Sequence, residues 1–224
     1  MLLRVEAESL PALAAVPEIT AKGLIRQANE ARILGAGERV FARAGFTGAT
    51  MAAIADEAGL PKANLHYYFG AKLDLYRAVL ARTLHDWLAP MQAIHADAEP
   101  REALATYIRA KKAMSQQRPD ASRVYANELL HGAPVVGELL RTELREIVRD
   151  KAAVIDGWVA AGRMAPVDAT QLFFTIWATT QTYADFDVQV RAVLGCETLD
   201  AADQARATAH VVGLILRGCG LPAG

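Results

Sequence analysis

The stretch Phe46–Tyr76, FTGATMAAIADEAGLPKANLHYYFGAKLDLY, decides how the rest of the chain is organised. Met51, Ile54, Ala55 and Ala58 recur at helical spacing to form one apolar face, and the Thr50 hydroxyl is placed to cap the first turn. Gly59 supplies the backbone freedom that a sharp turn needs. Leu60 is pushed out of the helical region by the proline after it, and Pro61 suits the first turn of a second helix. That helix, from about Lys62 to Phe69, is too short and polar to be a core element, and Gly70 closes it. A short exposed helix carried across a glycine turn by a small apolar partner is the layout of a helix-turn-helix.

Working outward, the pattern stays helical. A first helix is predicted from Asn29 to Ala44, with Ile33, Leu34, Val40 and Phe41 inward, and residues 1–27 form a loose arm of which 18–28 could extend that helix. Lys22 and Arg26 on that arm are candidates for phosphate contacts, or simply solvated. Lys72 opens a long helix with Leu73, Tyr76, Val79, Leu80 and Leu84 in one stripe and Trp87 further along, before Pro90. Helices follow at 101–117, 120–131 and 136–161, the last with Leu140, Leu144, Ile147, Val148, Ile155, Trp158 and Val159 inward. A further helix runs from Asp168, in a sequence resembling a capping box with Gln171, to Leu194, and a last one from Ala201 to Arg217. The face bearing Ala205, Ala209 and Val212 lacks large side chains, which permits close approach of a partner helix. The fold class is all-α.

The 224 residues are 53% apolar with a net charge of −1, enough for a substantial core but without a global basic field. Affinity for nucleic acid then depends on where charges sit and on doubling the contacts in a dimer. Cys196 and Cys219 have neither metal-ligand nor redox spacing, consistent with a reducing cytoplasm. No apolar run approaches the roughly 20 residues that cross a bilayer.

Catalysis finds little support. There is no G-x-S-x-G, no H-E-x-x-H and no phosphate-cradling glycine loop, and His66, His85, His95, His131 and His210 are dispersed. No metal or cofactor is expected. A pocket carboxylate or histidine with a strongly shifted pKa would revive an enzymatic reading. The other informative stretch is FFTIWATTQTYADFDVQV, Phe173–Val190, where Trp177 and Gln181 share a helical face. An aromatic plate beside a side-chain amide suits a flat ring with adjacent donors and acceptors, such as a pyrimidine. A core helix with a glutamine tying it to a neighbour would show the same pattern.

The order T-x-x-x-I-A-x-x-A-G followed by K-A-N-L-H-Y-Y-F-G-x-K-x-x-L-Y, within Gly45–Tyr76, resembles the DNA-binding segment of the TetR family of bacterial repressors. The family usually has Ser or Thr where this chain has Pro61, so no phosphate contact is assigned there. The resemblance implies a three-helix reading domain at 28–72 and an effector-binding, dimerising domain at 73–224, after an arm at 1–27. It implies that Lys62, Ala63, Asn64 and His66 face the groove, and that Thr50, Tyr67 and Lys72 hold phosphates. D-W-L-A-P from Asp86, E-x-L-x-G-A-P from Glu128 and the run Gly157–Val190 resemble the pyrimidine-utilisation branch of that family. This likeness implies uracil or a related pyrimidine as effector, with Trp87, Trp177 and Gln181 in its pocket; a TetR-type regulator with an unrelated small-molecule effector is the alternative. It also implies a homodimer bundled through the helices at 168–194 and 201–217, and a palindromic double-stranded operator.

Overall fold

The computed structural model describes residues 21–222, and among them the chain is built from helices and turns without a strand. The N-terminal head consists of α1 (Ala21–Gly48), α2 (Met51–Ala58) and α3 (Lys62–Phe69). Then come α4 (Lys72–Leu88) with a 3-10 extension Ala89–Ala93, α5 (Pro100–Gln117) and α6 (Pro119–Leu130). Gly137–Leu139 (α7), a π turn at Leu140–Leu144 and α8 (Arg145–Ala160) form one rod, and α9 (Ala169–Asp185), α10 (Asp187–Leu194) and α11 (Ala201–Gly218) complete the chain.

Several expectations are met and several are corrected. Ile33, Leu34, Val40 and Phe41 are buried, as are Met51, Ile54, Ala55 and Ala58. Thr50 Oγ1 accepts from Ala53 N, and Gly59 takes the left-handed conformation at φ 62°. Helix α1 begins at Ala21, eight residues ahead of Asn29, so the end of the expected arm is helical; residues 1–20 and the Lys22 side chain lie outside the described residues. Pro61 sits at the N-cap with extended backbone rather than inside the first turn. Polar as α3 is, Leu65 and Phe69 anchor it in the core. On α4, Tyr76, Val79, Leu80 and Leu84 are buried as expected, while the stripe begins at buried Leu75 and Leu73 is only half-buried. The expected helix from 168 to 194 breaks at Phe186, whose φ −115° and ψ 34° leave the helical region. The Asp168 side chain caps Gln171 N without a reciprocal bond from Gln171. Ala205 and Ala209 are exposed while Val212 and Leu216 are buried.

Two apolar cores follow from these faces. One joins α1–α4 to Val124 and Tyr125 of α6; the other joins the 3-10 turn, α5, α8, α9 and α11. Leu88, at the end of α4, packs against both. Helix α4 therefore spans from the N-terminal head to the second core.

Lys72 changes role. Its Nζ donates to the carbonyls of Phe46, Thr47 and Ala49 at 2.7, 3.3 and 2.8 Å and lies over the Phe46 ring at 4.6 Å. The three ammonium donors are thus directed to carbonyls at the end of α1 and of Ala49 just after it, a geometry that competes with the expected phosphate contact. Lys72→Met should lower stability by about 1–2 kcal/mol, read as a shift in urea midpoint. The salt slope of non-specific DNA binding should stay unchanged in that variant, whereas a phosphate contact predicts a fall of about one unit.

Candidate functional site

The outer surface of α3 offers Lys62, Ala63, His66 and Tyr67 to solvent, with Asn64 half-buried beside them. Buried Leu65 and Phe69 fix the rotation of the helix, so these side chains stay on one face. His66 Nδ1 lies 2.8 Å from the Gly70 carbonyl, which makes Nδ1 the donor and leaves Nε2 outward. Tyr67 is 75% exposed and packs edge-on against Tyr68 alone among aromatic rings. The Thr50 hydroxyl accepts the cap bond and keeps its own proton free to donate outward.

Helix α2 is clamped onto α1 by arginines. Glu57 accepts from Arg39 at 2.5 Å and from Arg43 at 2.6 Å, and these bonds hold its carboxyl below the usual range, Arg43 contributing most. Arg32 donates to the Ala58 carbonyl at 2.7 Å, closing the C-terminus of α2. Glu57 thus pairs two of the arginines of α1 across the α1–α2 contact.

The head is tied to the rest of the chain at two polar joints. Buried Glu38 on α1 accepts from Arg82 of α4 and from Arg118 at the α5–α6 junction, and Arg118 also donates to Asp86 of α4. At the other joint Glu128 of α6 accepts from Tyr76 at 3.1 Å and from the Val135 and Val136 amides at 2.6 and 3.0 Å. Neither joint was expected from the sequence. Helix α6 takes part in both, through the Arg118 that precedes it and through Glu128.

The three residues expected to grip an effector converge. Trp87 of α4 and Trp177 and Gln181 of α9 line one cavity of about 140 Å³, with Leu84, Leu88, Lys111, Tyr125, Leu129, Leu140 and Leu144 around them. An apolar cavity of roughly 150 Å³ holds a benzene ring, so this one takes a single six-membered ring, well below the space of a drug-sized ligand. Trp177 stacks on Phe173 and its indole N–H donates to Tyr107 Oη at 2.7 Å, which fixes the plate. Trp87 meets Tyr125 edge-on at 5.0 Å. Gln181 makes no side-chain hydrogen bond among the described residues.

Two further lining residues were not anticipated. Lys111 is 2% exposed, its Nζ has no hydrogen-bond partner, and it stands 3.4 Å over the Trp87 ring. Burial pushes its pKa well below the ordinary value, against a smaller opposing pull from Asp185. Tyr125 Oη is likewise buried and unpartnered, and burial raises its pKa. A Lys–Trp pair separated by 24 positions on different helices leaves no periodic signal, which is why Lys111 escaped notice. Asp185, whose carboxyl is raised by burial, accepts from Ser122 and does not line the cavity. Among the described residues no group of His, Cys, Asp or Glu could hold a metal ion, and no helix is long and apolar enough to cross a membrane.

Comparisons with known proteins agree with this architecture. Residues 33–79 match the family described as "Bacterial regulatory proteins, tetR family", and residues 80–222 match "YcdC-like protein, C-terminal region". The chain is 41% identical over 191 residues to the HTH-type transcriptional regulator RutR of Escherichia coli K12, covering 85% of this chain and 90% of that protein. The same identity and coverage hold for RutR of Shigella flexneri. A solved tetR-family regulatory protein from Rhodococcus RHA1 shares the fold at a TM-score of 0.67 and 21% identity, over 86% of this chain and 97% of its own. The TetR family regulator PfmR of Thermus thermophilus does so at 0.60 and 20%, over 83% and 97%. With its helix-turn-helix head and helical C-terminal half both matched, the chain belongs to the TetR family of transcriptional regulators and is not an enzyme.

Proposed function

We propose that the protein is an effector-gated repressor that binds a palindromic operator as a homodimer in the cytoplasm and responds to uracil or a closely related pyrimidine. In this reading residues 28–72 are the DNA-binding domain and 73–224 the effector and dimer domain. Lys62, Ala63, Asn64 and His66 meet base edges, while Thr50 and Tyr67 hold phosphates. The supporting observation is the meeting of Trp87, Trp177 and Gln181, distant in sequence, on one cavity sized for a single ring. A uracil ring presents two carbonyl acceptors and two N–H donors. The Lys111 ammonium and Tyr125 hydroxyl, both buried without partners, supply donors for its carbonyls. The Gln181 amide matches an adjacent C=O and N–H pair, and Trp87 and Trp177 supply aromatic walls. The 41% identity to RutR, a pyrimidine-utilisation regulator, supports the same class of ligand.

Gating follows from the two joints. A ligand against Trp87 and Tyr125 touches α4 and α6 together, and those helices hold the head through Tyr76–Glu128 and through Glu38. A shift between them alters the separation of two heads, which must match about 34–36 Å or a multiple to engage one face of DNA. The experiment is calorimetric titration of uracil into wild type and Gln181→Ala. Affinity should fall about ten- to a hundredfold in the variant, since an unpaired buried edge costs roughly 1–3 kcal/mol. A lower melting temperature with unchanged affinity would mean a structural glutamine, and no binding by wild type would remove uracil.

Dimerisation through α9–α11 is supported by the outward Ala205 and Ala209 and by exposed Val193, Leu194 and Leu214. Ala209→Glu should sediment as monomer and lose operator binding, because one head makes too few phosphate contacts. A dimeric variant would place the interface elsewhere.

A further inference from the structure

Beside the small cavity lies a second, open space. A groove of about 680 Å³ runs between the rod formed by the π turn and α8 on one side and α9 on the other, floored by Val148, Ala152 and Phe174. It shares Leu140, Leu144 and Trp177 with the cavity, so the two spaces adjoin at these side chains. Leu140 and Leu144 bound the π turn, an irregular and widened helical turn that recurs at functional sites.

The charge along the groove is uneven. Arg141, Arg145 and Arg149, at every fourth residue, line it together with Asp156. Arg141 pairs with Glu138 at 3.0 Å and Arg149 with Asp150 at 3.2 Å. Arg145 has no ion pair or hydrogen bond among the described residues, which leaves a planar two-pronged donor at the groove.

We propose that the groove is a second subsite of the effector site, and that it admits pyrimidines bearing a short acidic arm, with the ring in the cavity and the carboxylate on Arg145. The proposal rests on the pyrimidine reading of the cavity. A bare ring leaves the groove empty, while an arm leaving the ring past Leu144 lies on the apolar floor and brings its anion to the one unneutralised guanidinium among the arginines lining the groove. Arg145 then acts as a specificity residue for the arm and is indifferent to the ring.

The test titrates three probes: uracil, 1-(2-carboxyethyl)uracil and the corresponding neutral amide. Wild type should bind the acid about fivefold more tightly than the amide, the gain expected of an exposed ion pair. Arg145→Glu, an exposed change that leaves the core intact, should abolish or reverse that preference and leave uracil unchanged. Equal binding of acid and amide by wild type overturns the subsite, as does a loss in Arg145→Glu that is the same for all three probes. If uracil fails to bind while the acid binds in an Arg145-dependent way, the subsite stands and the uracil reading falls; if no probe binds, both fall.

Discussion

Replacing Lys111 with methionine should stabilise the free protein by about 1–3 kcal/mol and weaken effector binding about ten- to a hundredfold. The two effects have one cause. The ammonium is buried with no hydrogen-bond partner, a desolvation cost of several kcal/mol. Against this stand the Trp87 ring face, worth about 2 kcal/mol, and a partial pull from Asp185. Burial outweighs the pull from Asp185, and an apolar chain of similar length is expected to be the better occupant until a ligand carbonyl arrives. The pH dependence carries the same signature. Burial holds Lys111 below its ordinary 10.5 in the folded chain, so the unfolded chain binds the extra proton between the two values. Stability therefore climbs with pH across that interval, and methionine removes this climb. Lys112, held at about 8 by burial, contributes its own rise between about 8 and 10.5 and remains in the variant as an internal reference. Urea unfolding of both proteins from pH 7 to 10, with uracil titration at pH 7, measures all of it. A destabilised variant with intact affinity would show that the ammonium and the indole form a net favourable pair.

The second large effect is expected at the joint between head and body. Glu38→Ala should cost about 2–4 kcal/mol, because Arg82 and Arg118, both largely covered, lose their shared carboxylate. Glu38→Gln, which keeps the shape and one acceptor, should fall between the two. Denaturant midpoints give the stability, and operator affinity with and without effector gives the coupling. A Glu38→Ala protein as stable as wild type would mean that Asp86 alone holds Arg118.

The head was legible because its determinants are local. A capping hydroxyl, an apolar repeat of three and four, and a glycine at a positive φ lie within a dozen residues of one another. The long rods were legible too, but their irregularities were not. The break at Phe186 and the π turn at Leu140 come from packing between distant segments, and no residue at either place breaks helices by itself. Trp177 and Gln181 could be paired by helical spacing, and Trp87 came only with the family resemblance. Lys111 and Tyr125 could not be found, because a buried unpartnered polar atom is a property of the assembled core. The carbonyl cradle of Lys72 was hidden for the same reason: its partners are 23 to 26 positions away.

The arginine clamp on α2 has a consequence for how the protein searches a chromosome. Arg39 and Arg43 share the single carboxylate of Glu57, and Arg32 is engaged by carbonyls. Among the described basic residues of α1–α3, Arg26 and Lys62 are left without a bond partner. Non-specific affinity scales with the phosphates neutralised, so bulk DNA is a shallow sink for such a head. Fewer copies are held on irrelevant sequence, and a larger share of the pool is free to find the operator.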